Sequence, residues 1–233
     1  GSKEEVKSWI NFFKDNVEYK NHSDCFFCPP ACYLNNANEI ISSNNLKLNL
    51  GSQDLDPDSD NPSTGGINGK MLKDLGCDYV LIGHSERRSL FSEDEEVLLK
   101  KLTSAVKHEL KVIYCVGETK EQKERGLATE AIKIQLKILK GLPVDLISVA
   151  YEPVWSIGQG ITPSLDSIHE MHQTIKDELK SILNTEENIA ISYGGSVSAD
   201  NAASISSLNS VDGLLIGGAS LNPESFSKVV NNI

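Results

Sequence analysis

Leu146-Ile147-Ser148-Val149-Ala150-Tyr151-Glu152-Pro153-Val154-Trp155-Ser156-Ile157-Gly158-Gln159-Gly160 is the stretch on which the fold turns. Its opening apolar run, 146–150, has the length of a buried strand. Glu152 falls where that strand should end, at the rim of a core with aromatic and apolar neighbours. A carboxylate so placed suits a general base. Pro153 stiffens the residues after it, and Gly158 and Gly160 let the far end bend. The segment therefore reads as a lid with a rigid tip and flexible ends. An ordinary surface glutamate at a strand end is the plain alternative.

Outward from this stretch, strands and helices alternate. Upstream, residues 111–116 predict a strand that closes on Gly117-Glu118, and 120–140 carry a helix. Tyr79-Val80-Leu81-Ile82-Gly83 predicts a buried strand, followed at once by His84-Ser85-Glu86-Arg87-Arg88 and then a helix over 95–108. Residues 46–50 predict a strand before Gly51-Ser52-Gln53, with short helices over 37–42 and 70–75 on either side. Cys25-Phe26-Phe27-Cys28 is a strand stopped by Pro29-Pro30. The chain opens on a helix over 3–15, whose apolar face is Val6, Trp9, Ile10, Phe13 and Val17. Downstream come a helix over 164–183, a strand over 189–193 closed by Gly194-Gly195-Ser196, and a short helix over 199–207. A strand over 211–216 closed by Gly217-Gly218 and a helix over 223–230 complete the series.

Alternation of this kind demands parallel strands with right-handed crossovers. The expectation is one α/β domain over 1–233, with a doubly wound open sheet as the alternative to a barrel. The open sheet is disfavoured because no G-x-G-x-x-G follows a first strand. Gln53, His84, Glu118, Glu152, Ser196 and Gly217 all fall just past the C-terminal end of a strand. In either architecture that edge binds ligands. Glycines after two successive strands let backbone N–H groups face a small anion.

The chain has 233 residues, and 22 cationic against 33 anionic side chains give 22 − 33 = −11. Such a charge argues against nucleic acid and anionic membranes as partners. No apolar run approaches the roughly 20 residues of a membrane span. Five cysteines are an odd number, so a complete disulfide framework is excluded and a cytosolic setting is expected.

Three patterns invite a metal reading and none sustains it. Cys25, Cys28 and Cys32 have no second ligand cluster at usual spacing, so buried apolar cysteines are expected. Asp54-Leu55-Asp56-Pro57-Asp58-Ser59-Asp60-Asn61 lacks the Gly and Glu that a calcium loop needs at its sixth and twelfth positions. His169 and His172 are expected on a solvated helix face. No metal and no cofactor is implied.

Four motifs in order carry a resemblance. Gly83-His84-Ser85-Glu86-Arg87-Arg88, Tyr151-Glu152-Pro153-Val154-Trp155 with Ile157-Gly158-Gln159-Gly160, Tyr193-Gly194-Gly195-Ser196-Val197, and Val211-Asp212-Gly213 with Gly217-Gly218-Ala219-Ser220-Leu221 closely resemble the triosephosphate isomerase family. That family is itself a standard example of pKa tuning and loop closure, so the roles follow from resemblance. It implies a TIM (β/α)8 barrel and a triose phosphate substrate in glycolysis and gluconeogenesis. Glu152 is implied as the base and His84 as the neutral electrophile, with Glu86 and Cys115 in supporting positions. Gly158, Ser196, Gly217 and Gly218 are implied as phosphate donors. Gln53 and the Thr64-Gly65 tip are implied in the loop that enters the partner of a homodimer.

Departures from the family pattern are expected to matter. The family opens on a strand ending in an Asn-aromatic-Lys segment, which does not occur in this sequence. The expectation is seven strands, a gap between the strands near Cys25 and Val211, low stability, association through bare edges, and poor turnover. Gly66 stands where Glu is usual, which should remove an ion pair with the Arg87 region. Ile161 replaces a common Lys, as a change in hinge packing. A homologue that binds without catalysing is the alternative function.

Overall fold

The computed structural model describes residues 1–18, 24–58 and 63–233. The chain opens on α1 (Lys3–Asn16), then β1 (Cys25–Phe27), α2 (Leu34–Ser43), β2 (Leu48–Ser52), α3 (Gly69–Asp74) and β3 (Tyr79–Ile82). The middle holds α4 (Ser85–Leu90), α5 (Glu95–Lys107), β4 (Lys111–Val116), α6 (Lys120–Glu124), α7 (Ala128–Leu136) and β5 (Ile147–Tyr151). It ends with α8 (Leu165–Leu183), β6 (Ile191–Tyr193), α9 (Ala202–Ser206), β7 (Gly213–Leu214) and α10 (Pro223–Asn231).

Among the described residues the strands form one seven-stranded parallel sheet in sequence order, β1 to β7. Strand order that follows chain order, with helices between, is the winding of an α/β barrel one strand short of eight. Its edges are β1 and β7, the two strands the sequence marked. Side chains alternate across the sheet. Val112, Tyr114, Val116, Val149 and Tyr151 face the helices in the main core, while Cys115, Ala150 and Leu81 face inward as a small second cluster with Cys28 and Leu215.

α1 is amphipathic, is capped by Ser2 and buries Val6, Trp9, Ile10 and Phe13. Trp9 stacks on Phe27 of β1 at 4.3 Å between ring centroids. The same indole donates to Ser220 O, past β7, at 2.8 Å. Trp9 thus spans the two edges from outside, with Phe13 and Phe226 packed beside it.

Several expectations need correction. His172 is fully buried, not solvated, and its Nδ1–H donates to Ser210 O at 3.2 Å. Burial pushes its imidazole down to about 4, so it is neutral. His169 is exposed and meets the Ser210 hydroxyl at 2.9 Å. Cys25 is buried, but Cys28 is half-buried and Cys32 is exposed in a 3₁₀ turn. The helix expected over 120–140 breaks at Gly126 into α6 and α7. Ile161 is 53% exposed.

The acidic loop after β2 spends its carboxylates on protein donors. Asp56 accepts from Ile67 N at 2.7 Å, and Asp58 pairs with Lys107 at 2.6 Å and His108 at 3.0 Å. Ser59, Asp60 and Asn61 lie outside the described residues. Asp54 joins a buried ionic cluster, reaching Lys101 at 2.7 Å and Arg87 at 2.8 Å, while Glu93 reaches the same two cations at 2.6 and 2.7 Å. Arg87 is therefore well paired within its own chain, whatever Gly66 removes. Within this cluster burial raises Asp54, whereas at Glu93 the hydrogen bonds of Arg87 and Lys101 overcome burial and lower it.

Candidate functional site

Parallel strands bring all their C-terminal ends to one edge. Gln53, His84, Glu118, Glu152, Ser196 and Gly217 follow β2, β3, β4, β5, β6 and β7 there. At the centre of that edge His84 Nε2 lies 2.9 Å from Glu152 Oε1. Ser85 N donates to Glu152 Oε2 at 3.0 Å. Glu152 is only 2% exposed, and His84 is half-buried beside it.

Local sequence explains why both groups stand so. Gly83 sits at φ +78°, a conformation costly for side chains, and turns the chain out of β3. His84 is then the N-cap of α4, with Nδ1 accepting from Glu86 N at 3.3 Å. A backbone N–H can only donate, so Nδ1 carries no proton and Nε2–H donates to Glu152. Burial lowers the proton affinity of His84, but the hydrogen bond and charge of Glu152 outweigh it and raise the imidazole above its ordinary value. The occupied Nδ1 opposes a second proton on the ring, so the raised value belongs chiefly to the Glu152 contact, with a smaller share from the Glu86 charge.

Glu152 is placed by close approach of β4 and β5. Glu152 N donates to Val116 O at 2.8 Å. A Cβ on Gly117 would collide with the Glu152 carbonyl oxygen, so only glycine fits. Cys115 is buried on the inner face, and burial, then the Glu152 charge, keep its thiol protonated. Glu86 has an exposed side chain 4.0 Å from His84 Nδ1; its backbone makes the closer contact.

The segment after Glu152 is a 3₁₀ turn over Val154–Ser156, followed by Gly158 and Gly160 at φ +69° and +66°. Glu118 holds it: buried Glu118 accepts from Trp155 Nε1 at 2.6 Å and from Tyr151 Oη at 3.2 Å. Burial raises the Glu118 carboxyl against these two donors. Glu118 was visible in the sequence only as a polar residue at a strand end; its grip on Trp155 is a tertiary contact that spacing does not reveal.

Among the described residues, the backbone N–H groups of Gly158, Ser196 and Gly217 are not spent on other backbone carbonyls. A Cβ on Gly158, Gly217 or Gly218 would meet open space. Ser196 O is held by Asn201 Nδ2 at 3.0 Å and Thr162 Oγ1 at 3.3 Å, which ties the far end of the lid to the loop after β6. Gln53 is exposed and donates to Cys28 O at 2.9 Å, and Thr64 and Gly65 form an exposed turn.

An imidazole with a fixed Nε2–H and a facing carboxylate, at the C-terminal mouth of a parallel α/β barrel, is the equipment of an enzyme that relocates protons. The triosephosphate isomerase family model matches residues 1–233. A triosephosphate isomerase of Finegoldia magna is 40% identical over 239 residues, covering 97% of this chain and 92% of that relative. One from Dictyoglomus turgidum is 39% identical over 98% of the chain and 93% of its own length, and one from Francisella tularensis subsp. novicida is 43% identical over 87% and 81%. The chain belongs to the triosephosphate isomerase family and is an isomerase. No helix among the described residues is long and apolar enough to cross a membrane.

Proposed function

We propose that this chain interconverts dihydroxyacetone phosphate and D-glyceraldehyde 3-phosphate by moving a proton between adjacent carbons through an enediolate. The observation that carries the reading is the His84–Glu152 pair at 2.9 Å, each residue anchored at its own strand end. Glu152 takes the carbon-bound proton, and the Nε2–H of His84 stabilises the oxygen on which negative charge develops. The two groups now bond each other, so substrate must come between them. Glu152 then turns from His84 and Ser85 N onto carbon. With the carboxylate gone, the larger influences that raised the imidazole are removed and only the charge of exposed Glu86 remains against burial, which lowers it. A neutral imidazole therefore faces the oxygen.

A chain of charge −11 offers a dianion no general attraction, so the phosphate needs local donors. The free N–H groups of Gly158, Ser196 and Gly217, with Gly218, suit that role. The lid over 154–160 excludes water once closed. Cys115 and the backbone of Glu86 support Glu152 and His84 from either side. The assembly is a homodimer through Gln53, Thr64 and Gly65. Exposed Leu90 and Phe91 at the end of α4, with Arg87 stacked over Phe91 at 4.5 Å, offer an apolar seat for such a tip. Five free cysteines suit a reducing cytoplasm, where this step serves glycolysis and gluconeogenesis.

The test is turnover of dihydroxyacetone phosphate in D2O, followed by proton NMR. Deuterium should enter carbon in the product. Product formed without deuterium in either product or recovered substrate, or no product at all, would overturn the reading.

A further inference from the structure

Behind the His84–Glu152 pair, on the helix side of the sheet, polar groups form an unbroken chain between the two strand ends. Arg88 of α4 donates through Nε to Gly83 O at 2.9 Å and through Nη2 to Tyr114 Oη at 2.9 Å and Cys115 O at 3.3 Å. Its remaining edge pairs with Glu95 at 3.1 Å. The Tyr114 hydroxyl donates onward to Gln135 O at 3.0 Å. The Gln135 side chain then binds both backbone groups of one residue, accepting from Gly117 N at 2.8 Å and donating to Gly117 O at 2.9 Å. Gly117 is the residue whose backbone abuts Glu152.

The targets of this chain are informative. Gly83 O, Cys115 O, and Gly117 N and O are all backbone groups at the ends of β3 and β4, next to the reacting residues. Tyr114 is fully buried in an apolar layer that hydrophobic side chains could fill as well. Packing alone does not ask for a guanidinium there. A planar fork with donors in fixed directions does something packing cannot, which is to set the distance between two strand ends. Gly83 lies so close that an added Cβ would sit 3.2 Å from Arg88 Nη2 and 3.2 Å from Cys115 O.

We propose that Arg88, Tyr114 and Gln135 are positioning residues for proton transfer, fixing the spacing between the peptide before His84 and the backbone of Glu152. The proposal rests on His84 and Glu152 being the reacting pair. None of the three touches substrate. They act by keeping two groups in reacting geometry, where a displacement of about 1 Å costs roughly 100-fold in rate.

Arg88→Lys keeps the charge but replaces the fork by a point donor that cannot reach Gly83 O and Tyr114 Oη together. It should lower kcat roughly tenfold to a hundredfold with KM within about twofold. In ¹⁵N NMR the parent should show a single Nε2–H tautomer at His84, and Arg88→Lys a mixture. Tyr114→Phe removes one hydroxyl and should shift both readouts the same way by less. Glu95→Gln, which touches only the outer edge of the fork, should match the parent. If Arg88→Lys does not fold, Tyr114→Phe and Gln135→Met decide on the same criteria. Folded variants with kcat within twofold and a single His84 tautomer overturn the proposal, as does a change confined to KM. An inactive parent overturns the proposed function instead, and the tautomer readout still decides the positioning role.

Discussion

The middle of the sheet and its two outer strands are built differently. β4 pairs with β5 from Val112↔Ile147 through Val116↔Tyr151, and the end of β4 is held by hydrogen bonds with Arg88, Gln135 and Tyr151. β6 meets β7 only at Ser192↔Gly213 and Tyr193↔Leu214, and β1 meets β2 over Cys25–Phe27. Those outer strands are bridged from outside by Trp9, which stacks on Phe27 of β1 and donates to Ser220 O past β7. His84 and Glu152 follow β3 and β5, the two neighbours of β4, and Gly217-Gly218 follow β7. The groups proposed to meet within a fraction of an ångström flank β4, the most extensively paired strand. Of the proposed phosphate donors, Gly217 and Gly218 stand at the sparsely paired edge.

That contrast can be broken first at its centre. Glu152→Gln removes the proton acceptor and keeps the shape, so kcat should fall roughly 10²- to 10⁴-fold. The unfolding midpoint should barely move. His84→Gln should weaken turnover by the same reasoning. Either variant with near-parental kcat, measured on clean protein, takes that residue out of the mechanism.

The next test separates charge from packing. Lys101 is 3% exposed and bonds both Asp54 and Glu93. Lys101→Met leaves two carboxylates short of a cation and should cost about 3–5 kcal/mol in denaturant unfolding. A loss below about 1 kcal/mol would mean the cluster relaxes freely. At the seam, Trp9→Phe keeps the ring contact with Phe27 but loses the bond to Ser220 O, worth about 1 kcal/mol. Salt should not change that difference, since no charge is involved.

The smallest effect belongs to Asp58. Lys107 above all, with His108 and Ser104, holds its carboxyl below its ordinary value against the cost of burial. A lowered folded value means the stabilisation is present at neutral pH and disappears as pH falls through that value. Asp58→Asn should therefore cost less than about 1 kcal/mol at pH 7. The gap to the parent should close in acid, and a gap that widens there would reverse the sign.

These contrasts also explain what the sequence could tell. β4 was legible to the residue, because 111–116 is a β-rich run between Leu110 and Gly117. β7 shrank from the expected 211–216 to Gly213–Leu214, because it is an edge and has fewer partners to extend it. β2 runs over Leu48–Ser52, not 46–50, since its pairing to β1 and β3 overrides the leucine spacing. α4 was not foreseen: five of its six residues are polar or charged and Leu90 alone makes no apolar period, and its start depends on His84 capping with a ring nitrogen. His84 and Glu152 were both legible as strand-end residues. Their contact, and the Arg88 fork behind them, come from neighbouring strands that sequence spacing does not order.

Trp9 and Trp155 are the chain's two tryptophans, and they occupy the seam and the lid. The molecule thus carries two intrinsic fluorophores in separate optical roles. Trp9, almost wholly shielded from water, should emit in the blue and redden only as the seam parts. Trp155 is hydrogen-bonded to Glu118 beneath a lysine ammonium, where nearby charge tunes its emission, so it should change colour when a ligand draws the lid away. With either indole replaced, the remaining one lets unbuttoning of the edges and closure of the mouth be timed apart in a single cuvette, with no label attached.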